Sequence, residues 1–475
     1  MSVYNQIIKK VISSFILFGG LTASSQNLKK PNIIYILADD LGYTELGCYG
    51  NTFNETPHLD RLASEGIRFT NFYAAAPVCS PSRAALITGQ HPARVGIIDY
   101  LRPNASEHLN EQLYTLAEML QDNGYRTGIV GKWHLSGYKK NGAQEESLPD
   151  KHGFQEVLIS ENQGISVGPY WHPYQFNMDI PKKLASEHEF LTDRQNLEAL
   201  EFIEKNQSNP FFLYLSHYAV HTWSTGKPEL VDRFRKKKGA GTSPTSGNNK
   251  VNDPYTNWPA DVRATKNNPH LAAQLFSIDE GVGLIMKKLR ILGLDKNTLI
   301  VFTSDNGGET RVTTNTPLRG GKSMLYEGGI REPMIMWNRK LISKGRSETA
   351  RLVNFDFYPT FMEITGAKKN NQNLDGVSFA KLLNDRNYKM PDRAYYWHYP
   401  LIESHFLGGE SAGSILKGDW KLIEFFDTKK MELFNLKTDP YEANDLFAKY
   451  PDKVKLLSEQ LKKWRDNIGA DGIKN

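Results

Sequence analysis

The chain has 475 residues, 39% of them hydrophobic and 23% charged. That balance excludes a disordered or fibrous protein and allows a large core divided over two domains. The formal charge of +5 becomes +3 (5 − 2) without residues 1–25, which hold Lys9, Lys10 and no acid. This small excess suits an anionic substrate, and the one strong basic run, 233–238, lacks the groove-reading or stacking module that nucleic acid requires.

At the N-terminus Lys9-Lys10 precede the apolar run Val11–Leu21 and the small residues Ala23-Ser24-Ser25. This order predicts a secretory signal peptide cleaved near Ser25, and so an exported protein, periplasmic or secreted. The apolar run is too short for a stable membrane anchor, and no Cys lies near the cleavage point to be lipidated. Asn32–Ala38 is a near-continuous apolar run, predicted as a buried parallel strand, and ends in Asp39-Asp40. Ser82–Thr88 is predicted as a helix behind Pro81. Leu113–Asn123 reads as an amphipathic helix stopped by Gly124. Arg126–Val130 is a short strand that leads into Lys132-Trp133-His134.

Ser186–Asn206 has helical periodicity and feeds a strand, Pro210–Leu215, followed by Ser216-His217. Residues 239–249 are rich in Gly and Ser and predict a surface loop. Leu271–Leu292 reads as a helix, Thr298–Thr303 as a strand, and Ser304-Asp305-Asn306-Gly307 follow it. Strands alternating with helices predict an α/β catalytic domain over 26–390, a mostly parallel sheet between helices. From Tyr395 the texture changes. Tyr395–His398, Ile415–Phe426 (with a turn at Gly418-Asp419) and Met431–Leu436 read as antiparallel strands, and Asp452–Ile468 as a closing helix. They predict a smaller C-terminal α+β domain over 391–475.

In such sheets ligands bind beyond the carboxyl ends of the strands. Asp39-Asp40, Lys132 to His134, His217 to His221 and Asp305-Asn306 all follow strands directly. Adjacent Asp39 and Asp40 repel one another without a counter-charge, which a hard divalent cation supplies. With Asp305 and Asn306 the donors are all oxygen, and no zinc-finger spacing of Cys and His is present, which favours Ca²⁺ over a transition metal.

Cys79-Ser80-Pro81-Ser82-Arg83 has the form C-x-P-x-R and resembles the maturation signal of type I, formylglycine-dependent sulfatases. Leu37–Tyr43, Cys79–Gly89, Gly124–His134, Thr303–Gly307, Gly321-Lys322 and Tyr326–Pro333 resemble that family's blocks in family order, as do Gly418–Leu422 and Glu432–Pro440. The likeness covers residues 31–475 and is nearest to arylsulfatase A-like enzymes and bacterial polysaccharide sulfatases. It implies an alkaline-phosphatase-like fold and a Cys79 converted by a formylglycine-generating maturation enzyme to 3-oxoalanine (formylglycine). One hydroxyl of the hydrated aldehyde would attack sulfur and the other would expel sulfate. Conversion would leave Cys48 a free thiol, although the compartment permits a disulfide.

The resemblance further implies that Asp39, Asp40, Asp305, Asn306 and the modified Cys79 ligate calcium. Arg83 would offset the developing oxyanion, Lys132 would contact nucleophile and sulfate, and Lys322 would grip sulfate. His134 would be the base for sulfate release and His221 the general acid, with His217 its rival. Trp223 stands where the family usually has Pro. Candidate substrate readers are His217, Trp171 and His172 within Pro169–Tyr174, His398 within Trp397–Tyr399, and Arg311 within Arg311–Arg319. The predicted function is sulfate removal from a sulfated carbohydrate substrate. The alternatives are a phosphonate or phosphodiester hydrolase of the same superfamily and a non-catalytic sulfated-glycan binder.

Overall fold

The computed structural model describes residues 30–102, 105–136, 147–160, 170–174, 180–186, 188–222, 225–241, 266–342 and 345–470. The predicted signal peptide, Pro169, Trp223 and residues 242–249 of the predicted loop lie outside them. The large sheet contains β1 (Asn32–Ala38), β2 (Ile67–Tyr73), β3 (Arg126–Gly131), β4 (Glu156–Leu158), β5 (Phe211–Ser216), β6 (Thr298–Ser304), β7 (Arg331–Trp337), β8 (Arg346–Glu348) and β9 (Leu352–Val353). Its order is β4-β3-β5-β1-β6-β7-β2-β8, with β9 also on β2. β1 lies in the middle, parallel to β5 and to β6.

The period-two alternation of a strand explains why β1 is apolar throughout. Ile34, Ile36 and Ala38 join the core with helices Leu191–Lys205 and Pro269–Ile291, while Ile33, Tyr35 and Leu37 join the opposite core with Leu116–Asp122 and Phe357–Thr365. Only β7 runs against its neighbours β6 and β2. Parallel neighbours need a crossover along the sheet. Residues 305–330 make none: their sole helix is Glu327–Ile330, so the chain turns back at the edge where β6 ended.

Local boundaries depart from the sequence reading where capping or burial decides them. The Leu116–Asp122 helix starts three residues later than predicted because Thr115 and Glu118 form a reciprocal capping box, with bonds of 3.1 and 2.7 Å. The Cys79–Thr88 helix starts three residues earlier, and all of its side chains are buried. A helix buried all round has no amphipathic stripe to reveal its first turn.

The C-terminal sheet is antiparallel, in the order β10 (Ala394–Tyr399), β11 (Ala412–Lys417), β12 (Trp420–Phe425), β13 (Met431–Asn435). Through Trp397, Tyr399, Leu416 and Phe434 it shares a core with Tyr73, Val78, Ala85 and Ile330 beside the large sheet. Helix Pro451–Ile468 covers the other face with Val454, Leu457 and Leu461. Lys421 of β12, wholly buried, ties the C-terminal sheet to the Glu327 turn, with its Nζ 2.9 Å from Glu327 and 2.8 Å from Glu442. No helix among the described residues is long and apolar enough to cross a membrane.

Candidate active site

Parallel pairing of β1, β5, β3 and β6 brings four strand ends to one edge. Ala38 pairs with Ser304 and Gly131 with Ser216, so the residues that follow them converge. The Asp40 N–H donates to Asp305 Oδ1 (3.1 Å), and Asn306 Nδ2 donates to Asp40 Oδ1 (2.8 Å). The Lys132 N–H donates to the Ser216 carbonyl (2.8 Å). Asp40, His134 and Ser323, none of them glycine, adopt left-handed φ of 59°, 53° and 74°. Strain of this kind persists where the surroundings over-determine a side chain's direction.

Cys79 is the first residue of its helix and points into this edge. Its Sγ and oxygens of Asp39 and Asp305 lie within 4.8 Å of one another. Arg83, one helical turn on, gives Nε to Asp305 (2.9 Å) and Nη1 to Ser216 Oγ (2.6 Å) and the Lys132 carbonyl (3.1 Å). Its Nη2 lies 2.6 Å from Asp305 and 3.5 Å from Asp39. Lys132 Nζ reaches Asp39 at 2.6 Å, and Lys322 Nζ reaches Asp40 at 2.7 Å. Three buried carboxylates thus face three buried cations, a neutral set.

Burial alone would push Asp39 upward. The Lys132 ammonium, with His221 and Arg83, outweighs it and holds the carboxyl below the usual range. Lys322 and His221 do the same for Asp40 against burial. For Asp305 burial prevails over Arg83, and the carboxyl is raised. Burial also pushes the Cys79 thiol up despite Lys132 and Lys322, so unmodified Cys79 is a poor thiolate. Burial and the Lys132 charge push His134 well below its ordinary range. Its Nε2–H donates to the Leu101 carbonyl (2.9 Å), which in the neutral ring leaves the lone pair on Nδ1. His221 is half-buried, with Nδ1 donating to the Thr222 carbonyl (2.7 Å) and Nε2 3.6 Å from Asp40.

The residues fit a hard cation. Asp39 Oδ1 and Asn306 Oδ1 are buried without a hydrogen-bond partner among the described residues, and the surrounding ligand atoms are oxygens plus the atom at position 79. Cys48 is a separate free thiol, pushed up to about 12 by burial with Asp60 adding to it, and takes no part.

The sulfatase profile matches residues 31–367, spanning every element of this edge. The chain belongs to the sulfatase family. A second profile, the N-sulphoglucosamine sulphohydrolase C-terminal region, matches residues 321–467 of this sulfatase. It is 33% identical to human arylsulfatase A over 401 residues, which is 76% of this chain and 69% of that one. To the N-acetylgalactosamine-6-O-sulfatase of Bacteroides thetaiotaomicron it is 28% identical, over 92% and 94% of the two chains. The solved structure of Ps i-CgsB in complex with k-i-k-neocarrahexaose superposes with a TM-score of 0.74 at 29% identity, covering 94% of this chain and 95% of that chain. This sulfatase is accordingly a sulfuric ester hydrolase with the fold expected from its sequence.

Three expected substrate readers do not open onto the site. Trp171 is a core residue, packed on Phe190 with centroids 4.8 Å apart. His398 is buried in β10 against Phe426, towards the closing helix. His217 is buried and pushed down to about 3 by desolvation, a neutral ring in the interior. His172 is half-buried and donates to the Ile180 carbonyl (2.8 Å). Arg311 remains at the surface, over the exposed Phe406 ring. Sequence reasoning missed Ser216 as a partner of Arg83, although it borders a flagged segment. It also missed Leu101 and His405, which no motif marks.

Proposed function

We propose that this sulfatase is an exported enzyme that removes sulfate from a sulfated carbohydrate, with Cys79 matured to formylglycine and Ca²⁺ held by Asp39, Asp40, Asp305, Asn306 and residue 79. The observation that carries this reading is the buried neutral set of three acids and three cations packed around Cys79. Bound there, a dication would give the site a surplus of two positive charges toward an anionic ester, and formylglycine would supply the gem-diol nucleophile.

The chain's own residues do the rest. Arg83 is tied to Asp305, Ser216 and the Lys132 carbonyl, so its guanidinium is fixed beside residue 79 and offsets charge that develops there. Lys132 and Lys322 bind the non-bridging sulfate oxygens, where preorganised cations lower the barrier most. His134, neutral, is the base for sulfate release, and His221 donates the proton to the leaving alcohol. The relatives' names support a carbohydrate substrate, since one acts on N-acetylgalactosamine-6-sulfate and a structural neighbour holds a neocarrahexaose.

Two measurements test the reading. The mass of the peptide around residues 72–83 should be about 18 Da below that of the Cys form, and purified enzyme should prefer aryl sulfate over aryl phosphonate and phosphodiester esters. Unmodified Cys79 together with no turnover would leave a sulfated-glycan binder. Preference for the phosphorus esters would make it a phosphonate or phosphodiester hydrolase.

A further inference from the structure

The loop that joins β10 to β11 leaves the C-terminal sheet and rests on the Lys322 turn. Gly409 packs on Ser323 so closely that a Cβ there would meet the Ser323 carbonyl at 2.1 Å. Within this loop the His405 N–H donates to the Gly409 carbonyl (2.7 Å), and the Gly408 N–H donates back to the His405 carbonyl (2.8 Å). His405 is buried, 7% exposed. Its Nδ1 accepts the Leu407 N–H at 3.2 Å, which puts the proton of the neutral ring on Nε2. That Nε2–H has no hydrogen-bond partner among the described residues. A buried donor without a partner calls for an explanation.

Its neighbours provide one. Tyr100 meets the His405 ring edge-on at 5.4 Å, and Phe406 stacks on it at 4.4 Å. Arg102 covers Tyr100 at 4.4 Å, and Arg311 covers Phe406 at 5.0 Å. Two guanidiniums therefore close the ends of an aromatic row centred on His405. The centre is buried, while the ends are open, with side-chain exposures of 59% for Arg102 and 45% for Arg311.

The row is fixed to catalytic residues. Leu101, between Tyr100 and Arg102, takes its N–H bond to Ser80 Oγ (3.0 Å) and receives the His134 bond at its carbonyl. The Tyr399 hydroxyl donates to Asp99 (3.0 Å). At the other end Arg311 pairs with Glu309, which accepts the Thr222 hydroxyl beside His221 (2.9 Å). Asp99 and Glu309 engage one edge of each guanidinium, and the five-donor fork keeps N–H groups for a ligand. Burial, then the charges of Lys322, Arg102 and Arg311 against that of Asp40, push His405 down to about 4, so near neutral pH it is an uncharged donor.

We infer that His405, Arg102 and Arg311 form the sugar-reading rim of this site. The His405 Nε2–H bonds an oxygen of the sulfated sugar, and the guanidiniums hold an anionic group, carboxylate or sulfate, on the adjoining sugar. This rests on the carbohydrate reading above. It places a specificity determinant in the C-terminal domain, which supplies none of the residues assigned to the chemistry.

The test compares wild type, His405→Ala, His405→Gln and the double variant Arg102→Ala/Arg311→Ala on four sulfate esters. These are 4-nitrophenyl sulfate, N-acetylgalactosamine-6-sulfate, a 6-sulfated chondroitin disaccharide with its adjoining carboxylate, and a carrageenan oligosaccharide with sulfate on adjoining sugars. Wild type should favour one of the two oligosaccharides over the monosaccharide at least tenfold in kcat/KM, and which one it favours identifies the anion. The double variant should lose that advantage through KM. His405→Ala should lower kcat/KM on sugars at least tenfold more than on nitrophenyl sulfate, and His405→Gln, which retains an N–H donor, should recover part of it. Equal losses on all substrates, or an unchanged oligosaccharide preference in the double variant, would overturn the rim. Turnover of nitrophenyl sulfate with none of the three sugars would instead overturn the carbohydrate reading, and the rim with it.

Discussion

Replacing Lys421 with Met should cost this protein several kcal/mol, and the cost should depend on pH. Lys421 is wholly buried between Glu327 and Glu442, which are buried as well. Removing one partner of a buried charge cluster typically costs about 3–5 kcal/mol, because the charges left behind are neither solvated nor paired. Burial pushes Glu442 up to about 7, with the Lys421 ammonium opposing it. A carboxyl raised in the folded state contributes its full stability below its unfolded value of about 4.3. That contribution is lost as the pH rises through about 7. Without Lys421 the folded value rises further, so the loss continues to higher pH. The gap between wild type and Lys421→Met should therefore widen between pH 6 and pH 8, almost all of it above about pH 7, by at most about 1.4 kcal/mol at 1.36 kcal/mol per unit. Glu442 also accepts the Glu327 N–H (2.6 Å), five residues beyond Lys322, so KM should rise with the instability. Denaturant unfolding followed by tryptophan fluorescence at both pH values measures this. Lys421→Met/Glu442→Gln should recover part of the loss, since Gln keeps the acceptor without the charge. A cost below about 1 kcal/mol at pH 8, or the same cost at pH 6, would refute the reasoning.

Chelation should lower both activity and melting temperature, with Ca²⁺ restoring them, because an ion bound only by the folded chain adds its binding free energy to folding; identical melting curves and rates would remove calcium from the site. His221→Ala should damage turnover of sugar sulfates far more than of nitrophenyl sulfate, whose leaving group needs little protonation. His134→Ala should let covalent sulfate accumulate on residue 79, visible by intact mass after quenching, and His217→Ala should do neither; a leaving-group dependence confined to His217→Ala would exchange the two roles. Gly131→Ala places a Cβ 1.9 Å from the Ser216 carbonyl at a residue with φ of 104°. It should destabilise the fold by about 1–3 kcal/mol or more and displace Lys132, which follows it; wild-type kcat/KM in that variant would show that the Gly131 geometry does not matter.

What the sequence determined by itself was the arrangement that βα alternation enforces. Apolar runs such as Asn32–Ala38 and Thr298–Ser304 are strands wherever they pack, and the acids that directly follow them must emerge at one sheet edge. The candidate site was legible for the same reason, since Asp39, Asp40, Asp305 and Asn306 are short, polar and next to strand ends, and through the C-x-P-x-R pattern of Cys79 to Arg83; that Cys79 and Arg83 stand one helical turn apart only the fold showed. Tertiary structure decided which of the other candidates are exposed. Trp171 and His398 stand in segments that suit a sugar platform, yet Phe190 and Phe426 cover them, and no local pattern carries that information. The reversed direction of β7 follows from a segment that stays at the site instead of crossing the sheet. The His405 row joins Tyr100 and His405, each unremarkable in its own stretch of chain, to Arg311, which the sequence had marked without a partner. Local periodicity records how a residue meets its near neighbours, whereas burial and pairing across hundreds of positions exist only once the two sheets and their helices have packed.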